Sequence, residues 1–169
     1  MCLEMKLAGP ADLPEVLSIL NEGSAWMLAS KEIKGHWPET WPEDYIESRI
    51  RAGEVYLAYQ DGEPVGTLTL LWNDEETWPL QPDNAGYVYH LGVRRSQAGR
   101  GIGRQMLAWA AVKVASEGKH YLRLDCVAAN PVLRNYYSNA GFTPKGTTIL
   151  TDEKAGRTIE LALFEKELA

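Results

Sequence analysis

Eleven residues, Arg94-Arg-Ser-Gln-Ala-Gly-Arg-Gly-Ile-Gly-Arg104, constrain this chain more than any other stretch. Before them runs Gly86-Tyr-Val-Tyr-His-Leu-Gly-Val93, a strand by its β-branched and aromatic content. After them, residues 103–117 repeat apolar positions at helical spacing. Gly99, Gly101 and Gly103 let the backbone turn tightly where strand feeds helix, exposing several N–H groups. The helix N-terminus adds a partial positive charge, and Arg94, Arg95, Arg100 and Arg104 add full ones with no acid among them. Such a junction suits a pyrophosphate. The plainer alternative is a glycine-rich connector with solvated arginines. A Walker A loop would need GxxxxGK[ST], and no Lys-Ser/Thr follows. A dinucleotide fold needs GxGxxG and a later acid. Asp125 does stand 22 residues after Gly103, but the glycines are spaced GxGxG and helices and a hairpin precede them.

The remaining signals punctuate one unit. A length of 169 residues suits a single domain, and no internal repeat or long linker divides it. Asp12-Leu-Pro-Glu15 reads as a capping box, followed at helical spacing by Leu13, Val16, Leu17 and Leu20. Thr40-Trp-Pro-Glu43 reads as a second, opening a helix with Ile46 and Ile50 on one side. The loop GHWPETWP (35–42) lies between them. Residues 54–60 and 65–72, joined by Asp61-Gly62, predict a β-hairpin. A polar loop follows over 73–86. Leu122–Val127 predicts a strand, Pro131–Ala140 a short helix, and 143–150 with 157–165 a closing hairpin turning at 152–156. The order ααβββαβαββ predicts an α/β (α+β) fold, a mixed sheet flanked by helices.

Composition removes other classes. Hydrophobic content of 45% and charged content of 24% are those of a globular protein. No apolar run approaches the ~20 residues of a membrane helix, and the N-terminus lacks a signal-peptide pattern. Cys2 and Cys126 make no disulfide framework, and His36, His90 and His120 show no metal-ligand spacing. The expectation is a cytoplasmic protein without a metal. Charge is uneven: residues 1–86 hold 16 acids and 5 bases, residues 87–169 hold 7 acids and 12 bases. That split argues against a general nucleic-acid or anionic-membrane binder. It fits two ligands of opposite sign, or solvated surface charge alone.

HLGV (90–93), AGRGIG (98–103), LRLDCVAAN (122–130) and YSNAGF (137–142) stand in that order over the 56 residues from Tyr87 to Phe142. On these pieces the chain resembles the GNAT superfamily of N-acetyltransferases. One departure is Ala98, where the family usually carries Arg or Gln. The resemblance implies a mostly antiparallel, twisted sheet whose central strands splay around acetyl-CoA. The backbone of Leu91 and Val93 would pair with the pantetheine. Gly92 would mark the strand's β-bulge and aim an N–H at the thioester carbonyl. Ala98, Gly99, Arg100, Gly101, Ile102, Gly103 and Arg104 would hold the pyrophosphate. Asn130 and Arg134 would complete the cofactor site, although Asn130 before Pro131 is equally a helix N-cap.

The implied reaction is direct attack of a primary amine, of a small molecule or peptide, on the acetyl group through a tetrahedral intermediate. Tyr137 occupies the family position of the general acid, and its phenol stays protonated near neutrality. The base is open among His90, Glu54, Asp74, Glu75, Glu76 and a water chain. Trp26, Trp37, Trp41 and Trp72, with acids nearby, suggest an aromatic pocket for a cationic acceptor. Cys126 reads as a small buried hydrophobe. A homodimer through sheet edges is expected from the family. Alternatives are a non-catalytic acyl-CoA-binding or amine-sensing domain and a Rossmann-like nucleotide-binding module.

Overall fold

The computed structural model describes residues 2–30, 37–74, 76–78, 84–152 and 156–168. Among them the strands are β1 (Glu4–Leu7), β2 (Val55–Gln60), β3 (Glu63–Leu71), β4 (Ala85–Val93), β5 (Tyr121–Val127), β6 (Thr143–Asp152) and β7 (Arg157–Glu167). They form one sheet in the order β1-β2-β3-β4-β5-β7-β6. Helices α1 (Leu13–Ala29), α2 (Glu43–Arg51), α3 (Ile102–Ser116) and α4 (Pro131–Asn139) flank it. Only β4 and β5 run parallel; every other described neighbour pair is antiparallel. A doubly wound parallel sheet is therefore ruled out, and the Rossmann-like alternative falls with it.

Strand alternation divides the core between two faces. On one face Val55 and Leu57 of β2 meet Val16, Ile19 and Leu20 of α1 and Ile46 and Ile50 of α2. On the other, Leu68, Val88, Leu124 and Phe164 pack against Ile102, Met106, Ala110 and Val114 of α3. The helices form because their apolar residues recur every three or four positions and so line one stripe.

β4 and β5 pair over three positions, Ala85↔Tyr121, Gly86↔Leu122 and Tyr87↔Arg123, and beyond them the two strands part. Opposite this opening, Thr67 pairs with Gly92 and Thr69 with Tyr89, so β4 carries one extra residue between Tyr89 and Gly92. His90 takes a left-handed φ of 51° there. The bulge thus sits at His90–Leu91 and not at Gly92. A Cβ at Gly92 would stand 3.4 Å from Ile19 and 3.6 Å from Leu20, so this glycine serves close packing on α1.

Three local expectations need correction. β1 was not anticipated: its residues EMKL bury little, and an exposed edge strand gives no hydrophobic alternation. The Asp12 carboxylate bonds back to the Gly9 N–H at 2.8 Å, capping a 3₁₀ turn rather than α1. α2 begins at Glu43 behind Pro42, without a side-chain cap, so Thr40 does not start it. The Asp61-Gly62 turn has φ of 52° and 80°, the left-handed pair a tight hairpin needs. The tip of the closing hairpin, 153–155, lies outside the described residues.

Candidate active site

A cavity of about 750 Å³ occupies the opening between β4 and β5. Leu91, Leu124, Cys126 and Tyr137 line it from the α3–α4 side. Trp37, Trp41, Tyr45, Tyr89 and His90 line it from the α1–α2 side. Because Tyr87 pairs with Arg123, Asp125 two residues further along β5 shares the α1–α2 face. The cavity therefore passes through the sheet, and its two mouths carry different chemistry.

Tyr137, on α4, is 8% exposed and packs against Tyr136, Phe142 and Phe164. Burial pushes its phenol far above the usual range, and Cys126, Tyr136 and Asp125 push the same way. The Cys126 thiol is raised to about 11, by burial first and Asp125 second. Asp125 is the residue the sequence reading passed over as a base. Burial, then the charge of Asp74, raises its carboxyl from 3.8 to about 7. Asp74 is itself raised by burial, and its Oδ2 is buried without a hydrogen-bond partner among the described residues. Its Oδ1 accepts from the Thr77 N–H at 3.0 Å. The signal was available: one acid inside the apolar strand Leu122-Arg-Leu-Asp-Cys-Val127.

His90 lies at the bulge, with Nδ1 3.3 Å from the Thr69 hydroxyl and Nε2 3.4 Å from the Tyr45 hydroxyl. Its ring meets Trp41 edge-on at 4.8 Å. Trp41 is fixed in turn by its Nε1–H donating to Ser24 at 3.1 Å and its backbone N–H to Asn21 at 2.8 Å. Among the other acids considered as bases, Glu54 and Glu76 line the cavity, and Glu75 lies outside the described residues. Trp37, Trp41 and Trp72 line it too. Trp26, expected beside them, is not in the lining and lies under the Arg95 guanidinium, 3.7 Å from ring to Cζ. Tyr45 takes a place in the aromatic wall that the tryptophan count did not suggest.

At the glycine loop the four arginines have different partners within the protein. Arg94 donates to Glu15 at 2.9 Å, Glu22 at 3.0 Å and Ser18 at 2.9 Å, tying the end of β4 to α1. Arg104 donates to the Asn139 carbonyl at 2.7 Å, closing the end of α4. Arg100 is exposed and donates to Gln97 at 3.2 Å. Ile102 is 2% exposed and belongs to the core, while Val93 packs beside that core. Gly103 lies under the Tyr136 hydroxyl. Ala98 ends a 3₁₀ turn, its N–H donating to the Arg95 carbonyl at 3.2 Å. Asn130 is fully buried and caps α4, accepting from the Leu133 N–H at 3.1 Å. Arg134 donates to the Ala128 carbonyl at 3.0 Å, bracing the β5–α4 turn.

Known proteins resemble this chain in sequence and fold. Residues 22–142 match the Acetyltransferase (GNAT) family. YesJ of Bacillus subtilis (strain 168), an uncharacterized N-acetyltransferase, is 30% identical over 129 residues, covering 73% of this chain. The match covers 66% of YesJ, just under two thirds of its length. An L-methionine sulfoximine/L-methionine sulfone acetyltransferase of Pseudomonas paraeruginosa is 27% identical over 177 residues, covering 99% of this chain and 96% of that one. The yncA protein of Salmonella typhimurium, solved with its cofactor acetyl-CoA, has the same fold. Its TM-score is 0.72 at 18% identity, covering 100% of this chain and 95% of that one. The chain belongs to the acetyltransferase (GNAT) family.

Proposed function

We propose that the protein moves the acetyl group of acetyl-CoA onto a primary amine of a small molecule or peptide, by direct attack through a tetrahedral intermediate. The observation that carries this reading is the through-sheet cavity, with Asp125 toward α1 and α2 and Tyr137 toward α3 and α4. The residues present suit acetyl-CoA. Gly99 and Gly101 both hold φ of 77°, and no heavy atom lies within 4 Å of where a Cβ would stand. α3 opens at Gly101 without a side-chain cap, so its first N–H groups are available to phosphate oxygens. Past Tyr87, the edge of β4 facing the cavity has no ladder to β5, which leaves backbone groups for an extended pantetheine arm. Bound there, acetyl-CoA supplies an acetyl group activated as a thioester.

The chain's own residues then have defined tasks. An alkylamine, with a pKa of ~10, arrives protonated and must lose that proton to attack. Asp125, at about 7, is ionised in the right fraction near neutrality to take it. His90 and Trp41 hold the wall against which the amine sits. Tyr137 keeps its proton at every physiological pH, and its phenol is a weaker acid than a thiol of ~8.5. It therefore stabilises the departing sulfur as a hydrogen-bond donor, while the second proton shed by the nitrogen goes to that sulfur as the N–C bond forms and the C–S bond breaks. Cys126 remains a thiol, which favours direct transfer over an acyl-cysteine relay. Thermal-shift measurements with acetyl-CoA, CoA and NAD, followed by CoA-thiol release over amines, antibiotics and peptide N-termini, test the reading. We expect stabilisation by both CoA species and not by NAD, and thiol release with one acceptor class. No shift with acetyl-CoA would refute it, and a shift with no release from any acceptor would favour an acyl-CoA sensor.

A further inference from the structure

Among the described residues, the acceptor side of the cavity holds an unbalanced set of charges. Among the described lining residues, Arg49 is the one Lys or Arg. It is already engaged: its guanidinium donates to Glu54 at 3.0 Å and lies over the Tyr45 ring at 5.4 Å. Asp74, Glu76 and Asp125 line the same cavity, and among the described residues no ion pair reaches any of them. They act on one another instead, Glu76 on Asp74 and Asp74 on Asp125, each through like-charge repulsion. The buried, unpartnered Oδ2 of Asp74 adds to the deficit of cations. Around them stand the rings of Trp37, Trp41, Tyr45 and Tyr89, whose faces attract cations.

We infer that this side selects amines that carry no carboxylate beside the reacting nitrogen, such as arylalkylamines and diamines, and rejects free α-amino acids. An ammonium group neutralises the carboxylates it meets there. The carboxylate of an amino acid would enter a site of its own sign and find Arg49 held by Glu54. This inference rests on the acetyl-transfer reading. It also separates the chain from its relative in Pseudomonas paraeruginosa, which is named for L-methionine sulfoximine and L-methionine sulfone.

Three matched compounds isolate charge from shape: phenethylamine, L-phenylalaninamide and L-phenylalanine. Cadaverine against L-lysine, and L-methionine sulfoximine alone, extend the set. Thiol release from acetyl-CoA gives kcat/KM for each, and calorimetry gives acetyl-CoA affinity independently. We expect the amine and the amide to exceed the acid by about 100-fold. Asp74→Asn should narrow the amide-to-acid ratio about tenfold while leaving acetyl-CoA affinity unchanged. Equal rates for amide and acid, a preference for L-methionine sulfoximine, a ratio unmoved by Asp74→Asn, or no release from any amine by protein that binds acetyl-CoA would each overturn the inference. Turnover confined to amino acids would do so while upholding acetyl transfer, whereas failure to bind acetyl-CoA would remove the reading beneath it.

Discussion

Replacing Asp125 with Asn should make the protein more stable in alkaline buffer while disabling it. The half-buried carboxyl titrates at about 7 in the folded chain, against an ordinary 3.8. Below 3.8 both folded and unfolded states hold the proton, and the group is neutral in its effect. Between the two values the unfolded chain releases the proton and the folded chain keeps it, so stability falls as pH rises. Above 7 the penalty is constant, at about 4 kcal/mol for ~1.4 kcal/mol per pH unit. Asn carries no such penalty. The variant's advantage over the parent should grow by about 3 kcal/mol between pH ~4.5 and ~8, on the order of 6–12 °C in Tm. Urea denaturation at both pH values measures it. The groups that face Asp125, chiefly Asp74 with Cys126 and Tyr137, are the same in both proteins and cancel to first order. A difference between variant and parent that stays flat across that range would refute the assignment of a strained, desolvated carboxylate. In the same protein kcat/KM should fall by about 10²–10⁴.

Tyr137→Phe should keep the fold, since the ring retains Phe142 and Phe164 as neighbours, and should leave acetyl-CoA affinity intact. Loss of one hydrogen bond to a developing thiolate should slow kcat by about 10- to 100-fold, read by thiol release. Gly101→Ala places a side chain at φ 77° in otherwise open space. It should cost about 1 kcal/mol of stability, measured by chemical denaturation, and weaken acetyl-CoA binding by calorimetry.

Local chemistry made much of this legible beforehand. The strand, glycine loop and helix over 86–117 announce themselves because apolar period, turn residues and charge agree there. The rest depended on partners that are distant along the chain. Nothing in Arg94 alone says that Glu15 and Glu22 will take its guanidinium, more than 70 residues away. Trp26 and Trp41 look alike in a composition count, yet one lies under Arg95 and the other stands in the cavity wall. The bulge was sought at the glycine, whereas the left-handed residue is His90, whose ring is held by Thr69 and Tyr45. Asp125 reads in the sequence only as the later acid of a dinucleotide motif, because its raised carboxyl comes from burial first and then from Asp74, of a different segment.

The Arg94 contacts have one more consequence. Glu15 and Glu22 belong to the acidic half of the chain and abut the mouth of the glycine loop, where the Glu22 carboxylate also accepts the Arg95 N–H. Arg94 therefore works as insulation between two halves of opposite polarity. Without it, Glu15 would lose its ion pair and Glu22 would keep only the Arg95 N–H, leaving negative charge beside the glycine loop. The charge of Arg94 is thus spent inside the fold, joining the acidic half of the chain to the end of β4.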